Sequence, residues 1–172
     1  MKKIVFTFIF IFVIFISAIA QKYAYVDTEY ILGNIPAYKT AQAKLDEFSV
    51  EWQKEIEALY AQIDKMYKDY QSEKVLLSSE MSTKRENEIV QKEKEAKELQ
   101  KKYFGKDGEL YKKRQELIKP IQDEIFNAVK QIAIEGNWAI VFDTANTSVV
   151  MLYTDPKYDK SDDVLKKLGY KK

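Results

Sequence analysis

"YKTAQAKLDEFSVEWQKEIEALYAQIDKMYKDY", residues 38–70, carries apolar side chains at Tyr38, Ala41, Leu45, Phe48, Trp52, Ile56, Leu59, Ile63, Met66 and Tyr70. The steps run 3, 4, 3, 4, 4, 3, 4, 3, 4, which is a coiled-coil seam with one stutter near Trp52 that locally unwinds the supercoil. No Pro or Gly interrupts residues 37–82. The pattern breaks at Ser78-Ser79-Glu80-Met81-Ser82 and restarts, with Thr83 and Glu86 spaced as a capping box. In the second helix Glu88–Lys92, Glu93–Lys97 and Glu98–Lys102 place Glu four residues before Lys, worth about 0.2–0.5 kcal/mol per pair on an exposed helix.

Folding the chain back at Met81 pairs residues whose numbers sum to about 162. Leu45 then meets Leu117, Trp52 meets Leu110, Leu59 meets Tyr103, Ile63 meets Leu99 and Met66 meets Ala96. The expectation is an antiparallel helical hairpin over residues 38–119 with its tip near 78–83, each limb on the order of 55–60 Å at about 1.5 Å per residue. Gly105 and Gly108 interrupt the second limb. Pro120, which lacks an N–H, is expected to kink the helix near the hairpin base. Beyond it, Ile121, Ile125, Val129 and Ile132 share one face, and Gly136 is the expected stop.

After Gly136 the period changes. Trp138–Phe142 and Val149–Tyr153 predict two strands joined by a turn at 144–147, and Tyr23–Val26 a third. Both C-terminal runs are apolar on both faces, which calls for cover on both sides. Ser161 is expected to cap a last helix, Asp162–Leu168, with acids first and Lys166-Lys167 late. Residues 21–37 and 120–172 thus predict a discontinuous α+β body with the long hairpin inserted between its halves. A core of about 50–60 residues is marginal alone, so the body is expected to be shared between chains.

Lys2 and Lys3, the apolar run Ile4–Ile16 and Ala18-Ile19-Ala20 predict a secretory signal peptide, residues 1–20, cleaved after Ala20. Removing its two lysines takes the formal charge from +1 to −1. A near-neutral chain makes no strong electrostatic claim on nucleic acid or an anionic membrane; membrane contact stays open but unsupported by charge. Cys and His are both absent, which removes disulfides, thiol nucleophiles, His bases and the usual zinc ligands. No phosphate-binding Gly-x-x-x-x-Gly-Lys-Ser/Thr occurs. No cofactor, metal or catalytic residue is expected.

Two aspartates test that exclusion. Tyr25-Val26-Asp27-Thr28 and Val141-Phe142-Asp143-Thr144 each end a strand in Asp-Thr, where phosphoryl-transfer enzymes hold a nucleophile or magnesium. A hydrolase would need the pair to converge with further acids or a Lys. The structural alternative is that Asp27 or Thr28 caps the following turn while Asp143 closes a loop, and it is the one favoured.

The signal peptide, "YAYVDTEYILGNIPAY" (23–38), the charged hairpin, "RQELIKPIQDEIFNAVKQIAIEGNWAIVFDTAN" (114–146) and "SDDVLKKLG" (161–169) together resemble the Skp/OmpH family of periplasmic chaperones. That resemblance implies a homotrimer with a small β-barrel-like body and helical arms around a cavity. It implies ATP-independent holding of unfolded outer-membrane proteins in the periplasm. By position it assigns Tyr25, Val26, Ile121, Ile125, Val129, Val141, Phe142, Val150 and Leu152 to the trimer body. The best-known relatives are markedly basic, and the near-neutral charge here argues against lipopolysaccharide binding. On the arm, Tyr60, Tyr67, Leu76, Leu77, Met81, Ile89 and Phe104 lie off the seam or near the tip and are the client-contact candidates. The rival reading is a coiled-coil envelope adaptor that docks a partner through Leu76, Leu77 and Met81.

Overall fold

In the computed structural model, which describes residues 22–145 and 151–170, the chain divides into two compact units. Ile35–Asp123 form one; the segments up to Asn34 and from Glu124 onward form the other. The expected signal peptide and Val150 lie outside the described residues.

The discontinuous unit is built on one strand. β1 (Lys22–Val26) leads into a short helix α1 (Thr28–Gly33), capped by Asp27, whose Oδ1 accepts the Tyr30 N–H at 2.9 Å. The later strand β2 (Trp138–Asp143) lies parallel to β1, with Tyr23 opposite Ile140, Ala24 opposite Val141, Tyr25 opposite Phe142 and Val26 opposite Asp143. On the far edge of β1, Tyr25 bridges Asp159, and its carbonyl accepts the Lys160 N–H at 2.9 Å. β1 is therefore central although it is first in sequence.

The expected antiparallel hairpin between Trp138–Phe142 and Val149–Tyr153 falls in large part on residues 146–150, outside those described. Of the second run, Met151–Tyr153 is described and is not a strand. The two edges of β1 are taken by β2 and the 159–160 segment. Runs apolar on both faces are also what parallel strands show.

Ala24, Val26, Ile31, Val164 and Leu165 are buried in this unit. Helix α6 (Ser161–Lys167) closes the described chain. Ser161 is its first residue rather than its cap: the Ser161 N–H donates to Asp159 Oδ1 at 2.9 Å, while Ser161 Oγ accepts the Asp27 N–H at 2.9 Å. Gly136 belongs to the preceding helix, and Asn137 takes the left-handed turn at φ 52°. Gly136 is small for a different reason. A Cβ there would fall 2.1 Å from Trp138 Nε1.

The second unit is the predicted hairpin. Helix α2 (Pro36–Glu73) opens with Pro at N1, where its missing N–H costs nothing. A 3₁₀ turn at Lys74–Leu76 reverses the chain, and α3 (Ser79–Phe104) returns. The cap is Ser78, whose Oγ accepts the Met81 N–H at 3.2 Å, not Thr83. Thr83 Oγ1 donates to the Ser79 carbonyl and Glu86 accepts from Tyr70, so the expected capping box does not form. The tip consequently lies a few residues earlier than expected, and the pairing shifts with it.

α3 ends at Gly105, and α4 (Glu109–Leu117) begins after Gly108. A new helix, α5 (Lys119–Gly136), follows with Pro120 as its second residue. The helical path is interrupted for one residue, Ile118, which stays αR, so Pro120 breaks the helix near the expected place and stands in the first turn beyond the break, where no N–H is needed.

Candidate functional site

The two Asp-Thr strand ends do converge, and their geometry shows what they do. Asp143 Oδ2 accepts the Thr28 hydroxyl at 2.7 Å, and its Oδ1 accepts the backbone N–H groups of Thr28 at 3.2 Å and Ala145 at 3.1 Å. Thr144 answers in the other direction: its N–H and its hydroxyl donate to the Val26 carbonyl at 2.8 and 3.1 Å. Each pair therefore clasps the other strand's end, and Asp143 also closes its own turn through the Ala145 N–H two residues on. Asp27 is held as a helix cap, with its own N–H bound to Ser161. Both Asp143 oxygens are occupied by donors of the fold. Among the described residues no cluster of three or more carboxylates is placed to hold a metal ion.

The surface of the hairpin is the other candidate. Its seam packs as two clusters. Ile63, Tyr70, Ile89 and Ala96 are buried near the tip, with Leu59, Met66 and Leu77 against them. Ala41, Leu45 and Ile118 are buried near the base, with Tyr38, Leu110, Leu117 and Ile121 against them. Leu45 and Leu117 share a cluster as expected, and so do Met66 and Ala96. Leu110 packs against the base cluster, while Trp52 turns to aromatic partners. Trp52 stacks on Tyr103, with ring centroids 4.8 Å apart and planes 3° apart, and takes Phe104 edge-on at 6.4 Å. Tyr103 meets Trp52 and, by its hydroxyl, Glu55 at 2.7 Å. These two contacts sum to 52 + 103 = 155 and 55 + 103 = 158, below the expected 162. The early tip explains the shift in the outer half.

The contact candidates separate by burial. Tyr60, Tyr67, Leu76 and Met81 are exposed. Ile89 is buried in the tip cluster, and Leu77 is half-buried against it; off-seam position in the sequence misplaced them because the register moved. Phe104 is half-buried against Trp52. Sequence reasoning missed Val75, 92% exposed beside Leu76 at 87%. A 3₁₀ turn with no seam of its own was the signal for it.

Around these side chains lie mixed charges. Lys68–Asp64 (2.5 Å), Lys112–Glu109 (2.9 Å) and Lys113–Glu116 (2.7 Å) are neighbours along their own helices. Lys92 pairs with Glu95 at 2.7 Å rather than with Glu88, and Lys94 reaches Glu98 at 4.0 Å. Exposed side chains choose among near-equal partners, so the expected Glu-to-Lys ladder is one option of several. The Lys92 ammonium holds the Glu95 carboxyl below the ordinary range by hydrogen bonding.

The body residues divide in the same way. Val26 and Ile125 are buried within the single chain. Ile121 packs in the hairpin's base cluster, not in the body. Tyr25, Val129 and Val141 are half-buried, while Phe142 and Leu152 are exposed. The sequence reading missed Phe126 and Ile134, both 67% exposed, together with Ile140 and Tyr153. Phe126 and Ile134 are eight residues apart, so α5 carries a second apolar stripe beside Ile125–Ile132. Reading only the first stripe hid it.

The sequence profile of the outer membrane proteins described as OmpH-like matches residues 22–168. The chain belongs to the OmpH-like family. Its fold is similar to a solved structure of a candidate outer membrane chaperone (OmpH-like) from Caulobacter crescentus, with TM-score 0.64 and 15% identity. The match covers 86% of this chain and 83% of that one. No curated protein sequence matches this chain. Among the described residues no helix is long and apolar enough to cross a membrane.

Proposed function

We propose that this OmpH-like protein is exported to the periplasm and holds unfolded outer-membrane proteins without ATP. Three copies share one body, and their hairpins bound a cavity in which a client is kept from its neighbours. The observation that carries this reading is the apolar surface of the discontinuous unit. Phe126, Ile134, Ile140, Phe142, Leu152 and Tyr153 are all exposed in the single chain. Exposed apolar side chains gathered in one small unit mark a protein-interaction site. Self-association buries them and completes a core too small to be self-sufficient. The two-stranded sheet of one chain becomes part of a barrel-like body of three.

The hairpin suits weak, distributed holding. Tyr60, Tyr67, Leu76 and Met81 are scattered among ion pairs, and Tyr and Met make adaptable contacts at low entropic cost. The family match and the likeness to the Caulobacter candidate chaperone support the same reading. The test joins light scattering with dilution of a urea-unfolded outer-membrane β-barrel into buffer free of ATP. A trimer that suppresses aggregation is expected. A monomer at micromolar concentration that leaves aggregation unchanged rejects the proposal.

A second reading draws on the tip, where Val75, Leu76 and Met81 are exposed together. If the protein is an adaptor that docks a partner there, serine at all three positions abolishes function while client holding persists.

A further inference from the structure

The hairpin contains a joint. Its aliphatic core comes in two clusters, one near the tip around Ile63, Tyr70, Ile89 and Ala96, the other near the base around Ala41, Leu45 and Ile118. Between them the second limb leaves helical geometry at Gly105, whose φ and ψ are −64° and 169°, and re-enters it after Gly108 at −73° and 179°. Neither glycine has room for a side chain. A Cβ on Gly105 would sit 2.4 Å from the Lys101 carbonyl oxygen, and one on Gly108 2.7 Å from that of Tyr103. The opposite limb stays helical through this level, but the stutter of its seam falls there, at Phe48-Trp52-Ile56, where the supercoil unwinds.

At the joint Ile56 is buried but belongs to neither cluster, and the side chains that link the limbs around it are aromatic. Phe48 stacks on Trp52 at 5.5 Å, Trp52 on Tyr103 at 4.8 Å, and the Tyr103 hydroxyl donates to Glu55 at 2.7 Å. The Lys113 ammonium, from beyond the break, stands over the Phe48 ring at 5.7 Å. Phe48, Trp52, Tyr103 and Lys113 are only half-buried and Glu55 is exposed, unlike the buried residues at the heart of the two clusters. Flat rings in an offset stack hold by area and ring electrostatics and can slide. Interdigitated aliphatic side chains are locked by packing.

We infer that the hairpin is two separately packed halves, clamped at residues 105–108 by the Trp52–Tyr103 stack, and that this clamp sets the angle between the halves. Opening it lets the outer half move as a body while its own core stays closed. The inference concerns the hairpin alone and holds whether or not the protein binds clients.

The chain has no cysteine, so pairs of spin labels can be introduced at chosen sites in the full-length protein. Labelled chains are diluted into unlabelled ones so that only distances within one chain are read. Lys97→Cys with Gln115→Cys spans the joint; Lys65→Cys with Lys97→Cys lies within the outer half and serves as control. With Trp52→Ala, the distance distribution across the joint is expected to widen about twofold, while the control distribution stays as narrow as in the unsubstituted chain. Amide exchange at 101–112 is expected to quicken about tenfold or more, with exchange at Ile63 and Ile89 unchanged. An unchanged distribution across the joint overturns the inference. So does simultaneous widening of both pairs, which would mean that the hairpin melts as one core. Tyr103→Leu, which keeps the apolar bulk and removes the stack, must reproduce the result of Trp52→Ala; if it behaves as the unsubstituted chain, the clamp is not the stack.

Discussion

Asp143 and Tyr103 are the two side chains whose environments say most. Asp143 accepts one hydroxyl and two backbone donors, and through Thr28 it ties together strand ends 115 positions apart in sequence. Thr28→Val removes the hydroxyl donor and leaves the carboxylate one bond short. The expected cost is about 1–2 kcal/mol of unfolding free energy in urea. Asp143→Ala leaves three donors without their acceptor and should cost more than Thr28→Val. Equal stabilities for all three proteins would show that the clasp contributes nothing. Tyr103 gives a dependence on pH. The Glu55 carboxylate that accepts its hydroxyl, followed by partial desolvation, raises its pKa above the ordinary phenol value. A group whose folded pKa is raised stabilises the fold fully below the unfolded value, about 10, and loses that contribution as pH climbs through the folded value. The stability gap between the native chain and Tyr103→Phe should therefore be constant through neutral pH and shrink only in alkali. Urea midpoints measured from pH 7 upward check this, and a gap that grows with pH contradicts it.

At the scale of elements, the seam from Tyr38 to Tyr70 was sufficient to predict the first limb, because a period of 3.5 sustained over nine steps has few alternatives. The turn was less legible. Ser78 and Thr83 both offer a hydroxyl at a plausible cap, and the sequence shows no reason why Ser78 wins. The structure supplies one: with Ser78 as cap, Ser82 and Glu86 both reach the hydroxyl of the buried Tyr70. A five-residue uncertainty at the tip then moved the pairing of Tyr103 from Leu59 toward Trp52, turned Ile89 inward and drew Leu77 against the core. Pro120 carried a related ambiguity, since a proline between two helical patterns fits either a kink or a first turn, and the one-residue break at Ile118 makes it both. Gly105 and Gly108 belong to this scale as well. Gly105→Ala forces a methyl against the Lys101 carbonyl and should destabilise by about 1–3 kcal/mol, far beyond the gain an alanine normally brings to a helix. Val75→Ser and Leu76→Ser, at exposed positions with no packing to lose, should stay within about 0.5 kcal/mol of the parent. Thermal unfolding followed by circular dichroism separates the two cases.

For the whole molecule, the strand pairing was the part that the sequence could not show. Local propensity marked Trp138–Phe142 as a strand, but its partner β1 lies across the whole inserted hairpin, and no turn signal announces a parallel neighbour. The apolarity of both strand faces was the legible trace, and it pointed to cover on both sides without saying by what. The same excess appears on α5, where Ile125 and Ala128 are buried while Phe126 and Ile134 face outward. A helix that is apolar on two sides needs two partners, and the single chain supplies one. If the second partner is another copy of the chain, then a charge placed on the outer stripe must cost assembly before it costs folding. Ile134→Lys and Phe126→Glu should each shift the light-scattering mass from trimer toward monomer at micromolar concentration. The helical signal of the hairpin should persist, because neither residue belongs to its clusters. Ile125→Lys, on the buried stripe, should instead unfold the body itself. A trimer that survives both outer substitutions would place the shared surface elsewhere, on the exposed Ile140 and Phe142 of β2 or on Leu152 and Tyr153, and the same charge scan along those residues would then find it.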